Sequence, residues 1–261
     1  MTLRWSPGYT WNETIWNPSM IDTALWLDAA DASTITESGG AVSQWDDKSG
    51  NDYHVSQATA ADQPTLSTDN GNTSILFDGT SDYLRHNVST SNIAYPTSSF
   101  LVCRNTDAAN SGHALSINNS SRSDTYLTLT QRDFSGQSSL FYQIRLASNN
   151  PFISAASSFN TEIIGAVSNA SDDHELFSNG SSVGTDTNTW PAPQYDNITV
   201  GRLRYQQSAA YFIGHVHEII WIRQSLDLDT RQKIEGYLAH KWGLTANLPA
   251  GHPYKLVGPT P

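Results

Sequence analysis

From residue 21 onward, short runs of β-branched and aromatic residues alternate with clusters of Gly, Asn, Asp and Ser. Runs of this kind bounded by turn formers predict β-strands. The pattern places strands over 23–29 (TALWLDA), 74–79 (SILFDG), 99–104 (SFLVCR), 125–131 (TYLTLTQ) and 139–147 (SLFYQIRLA). Further strands are predicted over 161–168 (TEIIGAVS), 174–180 (HELFSNG), 197–204 (NITVGRLR) and 211–223 (YFIGHVHEIIWIR). Within TYLTLTQ, Leu127 and Leu129 alternate with Thr128 and Thr130, giving one apolar and one polar face. Asn179-Gly180 sits between apolar residues and predicts a tight hairpin, because both residues tolerate φ > 0. Many short strands joined by such turns predict an all-β sandwich or barrel.

One segment departs from this pattern. SLDLDTRQKIEGYLAHKWGL predicts a helix with Asp227 as N-cap and Asp229 near its positive end. Ile234, Tyr237, Leu238 and Trp242 share one face, and Gly243 supplies the stop. The helix is expected to close over a sheet. The Pro-rich tail NLPAGHPYKLVGPTP is expected to run extended over the surface. At the other end, residues 1–14 set Trp5, Tyr9 and Trp11 among Pro7, Gly8 and polar residues. That composition suits an arm, folded back on the body or docked on a neighbouring subunit. The reading is a single domain over 15–256, with an aromatic arm over 1–14 and a tail over 257–261.

Composition narrows the function. The 261 residues carry 14 Lys and Arg against 25 Asp and Glu, a net charge of −11. A nucleic-acid surface needs clustered basic residues, so no nucleic-acid partner is expected. No apolar run approaches the roughly 20 residues of a membrane span, and no signal peptide is visible. No membrane insertion is expected. The single cysteine, Cys103, permits no internal disulfide and reads as a small buried hydrophobe in a strand. Neutral polar residues supply most of the solubility, which suits a β-protein at an extracellular surface or in a large assembly.

The stretch QWDDKSGND, 44–52, offers Asp46, Asp47 and Asn51 as calcium candidates. An EF-hand loop needs oxygen ligands at alternating positions and Gly sixth. Counted from Asp47, Gly50 is fourth; counted from Asp46, the third residue is Lys48. The stretch reads as a turn instead, with Asp47 and Ser49 bonding nearby amides, Gly50 at φ > 0 and Asn51 tolerating it. In FDGTSDYL, Asp78 and Asp82 are expected to fix a connection in the same way. His215 and His217 lie two apart and so share one strand face with Ile219 and Trp221. They make half of a zinc site, but the sequence names no third ligand. Glu218 falls on the opposite, apolar face with Val216, Ile220 and Ile222, where it must find donors or carry a raised pKa. Trp190 and Tyr195 in TWPAPQYDN, and Arg202, Arg204 and Tyr205 in GRLRYQQ, are the candidates for ligand contact: rings for stacking, polar groups for hydroxyls.

The ordered series ALWLDAAD, VSQWDDKSGND, ILFDGTSDYL, ELFSNGSSVG, ITVGRLR, YFIGHVHEIIWI and RQKIEGYLAHKWGL resembles the concanavalin A-like lectin superfamily, in its laminin-G-like branch. The resemblance spans about residues 15–256. It implies a jelly-roll β-sandwich of two antiparallel sheets, with loops that in relatives often hold calcium. It also implies a setting among bacteriophage tail or virion proteins, or on bacterial surfaces. Expected partners are then other subunits of the assembly, further copies of this chain, or a cell-surface glycan. Glycosidases of the superfamily carry Glu-x-Asp-x-x-Glu on one strand. That triplet is missing here, as are the nucleophile elbow, zincin and phosphate-loop motifs. A non-catalytic recognition or assembly module is the expectation. The alternative is a glycoside hydrolase or lyase drawing its carboxylates from separate strands.

Overall fold

β-branched and aromatic runs form strands wherever the sequence predicted them. A computed structural model of the chain describes residues 16–121, 124–203 and 210–261. The first strands are β1 (Thr23–Asp28), β2 (Ile35–Ser38), β3 (Ala41–Trp45), β4 (Val55–Ser56), β5 (Thr65–Asp69) and β6 (Asn72–Asp78). Then come β7 (Leu84–Asn92), β8 (Thr97–Asn105), β9 (Leu115–Asn118), β10 (Thr125–Phe134), β11 (Gln137–Leu146) and β12 (Phe152–Ala156). The last are β13 (Glu162–Ala170), β14 (Asp173–Ser178), β15 (Ser181–Asp186), β16 (Gln194–Val200) and β17 (Ile213–Ile222), followed by α1 (Leu228–Lys241). Strands β2, β3, β4, β5, β7, β9 and β12 lacked a sequence signal, because most are polar or very short, while β15 was implied only as the second arm of the Asn179-Gly180 hairpin.

The ladders between strands are antiparallel and form two layers. The first runs β15-β14-β13-β8-β17, and the far edge of β17 is shared by β1 and β6, with β5 beyond β6. The second runs β12-β11-β10-β9-β16-β7-β4-β3. A single pairing, Ala41 with Thr65, joins the layers along one edge. Leu101, Cys103, Ile164, Ile219 and Trp221 of the first layer pack against Leu115, Ile117, Leu127, Leu129 and Ile198 of the second in one core cluster. Hydrogen bonds between the layers, Asn105 to Gln131 and Tyr142 with Ser168, fix which faces look inward. The protein is an all-β jelly-roll sandwich with one C-terminal helix. Asn179 and Gly180 take φ values of 48° and 80°, as the hairpin required.

Helix α1 covers the outer face of the first layer. Asp227 accepts a hydrogen bond from the Thr230 amide as N-cap, and Ile234, Tyr237, Leu238 and Trp242 are buried. The tail differs from expectation. It is not extended but runs through turns and bends over 250–257, and it is pinned: His252 is buried against Glu235 at 3.1 Å, and the Pro259 carbonyl accepts from the Trp16 amide.

Strand β17 also departs from simple alternation. Its register against β8 shifts between Val216 and Glu218, which is a bulge at His217. An extra residue swaps the faces of everything beyond it. His217 and Glu218, adjacent in sequence, therefore both lie against Trp242 on the helix side. Trp221 points inward, onto Tyr195 of the opposite layer. The predicted sharing of one face by His215, His217, Ile219 and Trp221 does not survive the bulge.

Candidate functional site

The acid-rich turn at 44–52 is a positioning device. Asp47 Oδ1 accepts from the amides of Trp26 (2.8 Å) and Ser49 (2.9 Å); Oδ2 accepts from Ser49 Oγ (2.7 Å) and the Tyr53 amide (3.1 Å). Asn51 uses its side-chain amide on the carbonyls of Thr23 and Ala24. The positive φ falls at Gly50 (89°) and Asp52 (59°) rather than at Asn51. Asp46 accepts from Gln44. No group of three His, Cys, Asp or Glu side chains among the described residues is arranged to hold a metal ion. What the turn does is deliver the ring of Tyr53.

Tyr53 forms one wall of a cleft of about 520 Å³ shared with His86, Tyr195, Arg223 and residues 87–91. The volume lies within the usual range for small-molecule sites, roughly 300–1,000 Å³. Each wall has a local cause. The register of β7 against β16 jumps from Ser91–Tyr195 to Asn87–Asn197, so residues 88–90 form a bulge in which Val88 packs on the core and the exposed Ser89 and Thr90 offer their hydroxyls. His86 donates through Nδ1 to the His54 carbonyl and lies 5.4 Å from the Tyr53 ring. Arg223 follows β17, with its guanidinium 4.3 Å from the Trp221 ring centroid. It donates to the hydroxyls of Tyr195 and Tyr53. Burial pushes the Tyr195 hydroxyl up, against the nearby Arg223 charge. Arg223 itself is exposed, and among the described residues no carboxylate lies within ion-pair distance of it.

Of the sequence candidates among the described residues, only Tyr195 reaches this cleft, and it does so with its hydroxyl. Trp190 is corrected. It is 1% exposed, stacked on His174 at 4.1 Å, with Nε1 donating to Asp186, so no ring face is open to a ligand. Arg202 lies over the rings of Tyr83 and Tyr211, outside the cleft. Arg204 and Tyr205 lie outside the described residues, as do Trp5, Tyr9 and Trp11 of the arm. Tyr53 and Arg223 were missed. The signal was present as a Tyr directly after the turn and an Arg ending an apolar strand, but nothing in the sequence brings positions 53, 86, 195 and 223 together.

Two other clusters bear on catalysis. Glu218 is fully buried and is the hydrogen-bond hub its neighbours implied: Oε1 accepts from Trp26 Nε1 (2.7 Å) and Tyr237 (2.9 Å), Oε2 from Trp242 Nε1 (2.7 Å) and Lys241 (2.8 Å). Burial pushes its carboxyl up, opposed by Lys241. Burial acts on Asp28 too, but Lys241 and Lys48 hold that group below the usual range. In the second cluster, Asp69 accepts from Arg104 (2.6 Å) and Thr161 (2.7 Å) and lies 3.3 Å from His217 Nε2. Ser74 and His215 share a 2.9 Å hydrogen bond beside it. Ser74 has no exposed surface, so it offers no accessible nucleophile. A second cleft, about 530 Å³, lies between the end of α1 and the β5–β6 turn, lined by amides of Asn70, Asn72, Asn160 and Asn247. Its one aromatic, Trp242, is 3% exposed and presents no open ring.

The fold has solved counterparts at low sequence identity. The ligand-binding domain of botulinum neurotoxin serotype D, solved with N-acetylneuraminic acid, aligns at TM-score 0.54 and 14% identity, over 82% of this chain and 50% of that one. Domain 4 of an extracellular arabinanase from Geobacillus stearothermophilus, solved with arabinotriose, aligns at 0.52 and 12%, over 70% and 89%. The binding domain of botulinum neurotoxin DC, in complex with SialylT, aligns at 0.52 and 11%, over 79% and 48%. At these identities the likeness establishes the β-sandwich fold. No protein-family model matches the sequence. No curated protein matches it either.

Proposed function

We propose that this chain is a non-catalytic saccharide-recognition module whose site is the Tyr53–Arg223 cleft. The observation that carries the reading is a half-buried tyrosine whose hydroxyl accepts from an exposed guanidinium, in a cleft also lined by Ser89, Thr90 and Ser91. A sugar needs such a set: an apolar ring for its C–H face, and donors and acceptors for its hydroxyls. The related folds solved with sugars make a saccharide the first class to test. The enclosed carboxylates at Glu218 and Asp69 are held by their own donors, which favours recognition over hydrolysis. The experiment is a glycan array with the wild-type chain and Tyr53→Ala. We expect wild-type binding that the variant weakens on the order of tenfold or more, with little change in thermal stability. Equal binding by both proteins would remove the cleft from consideration.

A role in a virion or cell-surface assembly is the companion reading. Leu256 (83% exposed) and Val257 (61%) favour it, being adjacent apolar side chains in the tail that holds Trp16. Such a pair suits a contact with another subunit.

A further inference from the structure

We propose that the cleft selects a carboxylated sugar, with Arg223 as the group that reads the carboxylate. This rests on the saccharide reading and goes beyond it. Arg223 is the reason. The chain carries a net charge of −11, so acids are plentiful, yet among the described residues none pairs with this exposed guanidinium. Its described hydrogen-bond partners are neutral hydroxyls, Tyr53 and Tyr195, both through Nη2. The Trp221 ring lies beneath it, its centroid 4.3 Å from the guanidinium carbon. With both Nη2 hydrogens donated to tyrosine hydroxyls, Nη1 and Nε are left to donate to a carboxylate oxygen, and such a charge-assisted bond is about twice as strong as a neutral one.

The surroundings point to a sugar acid rather than an acidic peptide. Beside the guanidinium stand a tyrosine ring, an imidazole and the hydroxyls of Ser89, Thr90 and Ser91, which suit ring hydroxyls. Pairing with a peptide of several carboxylates would need several cations, and among the described residues Arg223 is the only Arg or Lys lining the cleft. The overall negative field opposes any anion at long range, so the preference must come from this local geometry.

The test compares a sialic acid methyl glycoside, a glucuronic acid methyl glycoside and the carboxyl methyl ester of each, by calorimetry at low and high salt. At least one acid is expected to bind on the order of ten- to a hundredfold more tightly than its ester, the worth of one charged hydrogen-bonded contact. Salt should narrow the gap. Arg223→Gln should bring that acid down to its ester's affinity, while Tyr53→Phe, which keeps the ring, should retain most of the preference. Acid and ester binding equally would overturn the proposal yet leave saccharide recognition standing. Binding of neither, with an empty glycan array, would overturn both. An acid preference that persists in Arg223→Gln, or a tetraglutamate peptide binding more tightly than the sugar acids, would equally refute it.

Discussion

Glu218 offers two oxygens, and four donors converge on them, one from β1 and three from α1 and its C-cap. Removing one member of a buried ion pair leaves its partners unsatisfied, which costs about 3–5 kcal/mol. Glu218→Ala should therefore lose at least about 3 kcal/mol in urea unfolding at pH 7. A loss under 1 kcal/mol would show that the hub contributes little. This residue was legible in the sequence, because an acid between Val216 and Ile220 has to find donors. Trp190 was not. A tryptophan among Pro and polar residues reads the same whether its ring lies open or, as here, against His174. Tyr53 and Arg223 failed for a different reason: each is ordinary alone, and only their proximity is informative.

At the level of elements, local rules were reliable where neighbours agreed with them. The N-cap at Asp227, the Asn179-Gly180 hairpin and the Asp78 turn formed as read. Asp78 Oδ1 accepts from the amides of Thr80, Ser81 and Asp82. The rules failed at β17, where a bulge set by pairing with β8 exchanged the strand's faces. They also missed why a glycine sits inside α1. A Cβ on Gly236 would come 2.4 Å from Tyr254 Cβ, so the glycine admits the returning tail. Gly236→Ala should favour the helix by about 1 kcal/mol. The clash costs about 1–3 kcal/mol, and the second effect should win. The expected result is a melting temperature lower by a few degrees and faster proteolysis after residue 250. A variant more stable than wild type would show that the tail yields at no cost.

Across the molecule, acid groups are tuned in opposite directions. Burial and the neighbouring Asp78 raise Asp82 from 3.8 to about 6. Burial opposes the lowering of Asp69 and Asp78, but hydrogen bonds from His217, Arg104 and Thr161 to the first, and from the Ser81 and Thr80 amides to the second, hold both well below their usual value. A raised carboxyl favours the fold while protonated, so its contribution is present below about pH 4 and lost as pH rises through 6. Lowered ones contribute above about pH 4 and fade as pH falls. Asp82→Asn should therefore flatten the melting temperature between pH 4 and 6 and leave the acid-side loss in place. Two parallel curves would contradict this. Strand-forming runs, turn residues, caps and net charge are properties of neighbouring residues and of the total, so the sequence by itself determined the all-β class, the helix and the negative charge. Which faces turned inward, and which side chains came to line one cleft, depend on register and on contacts between residues as far apart as Tyr53 and Arg223. Long-range pairing decides those, and only the tertiary structure holds it.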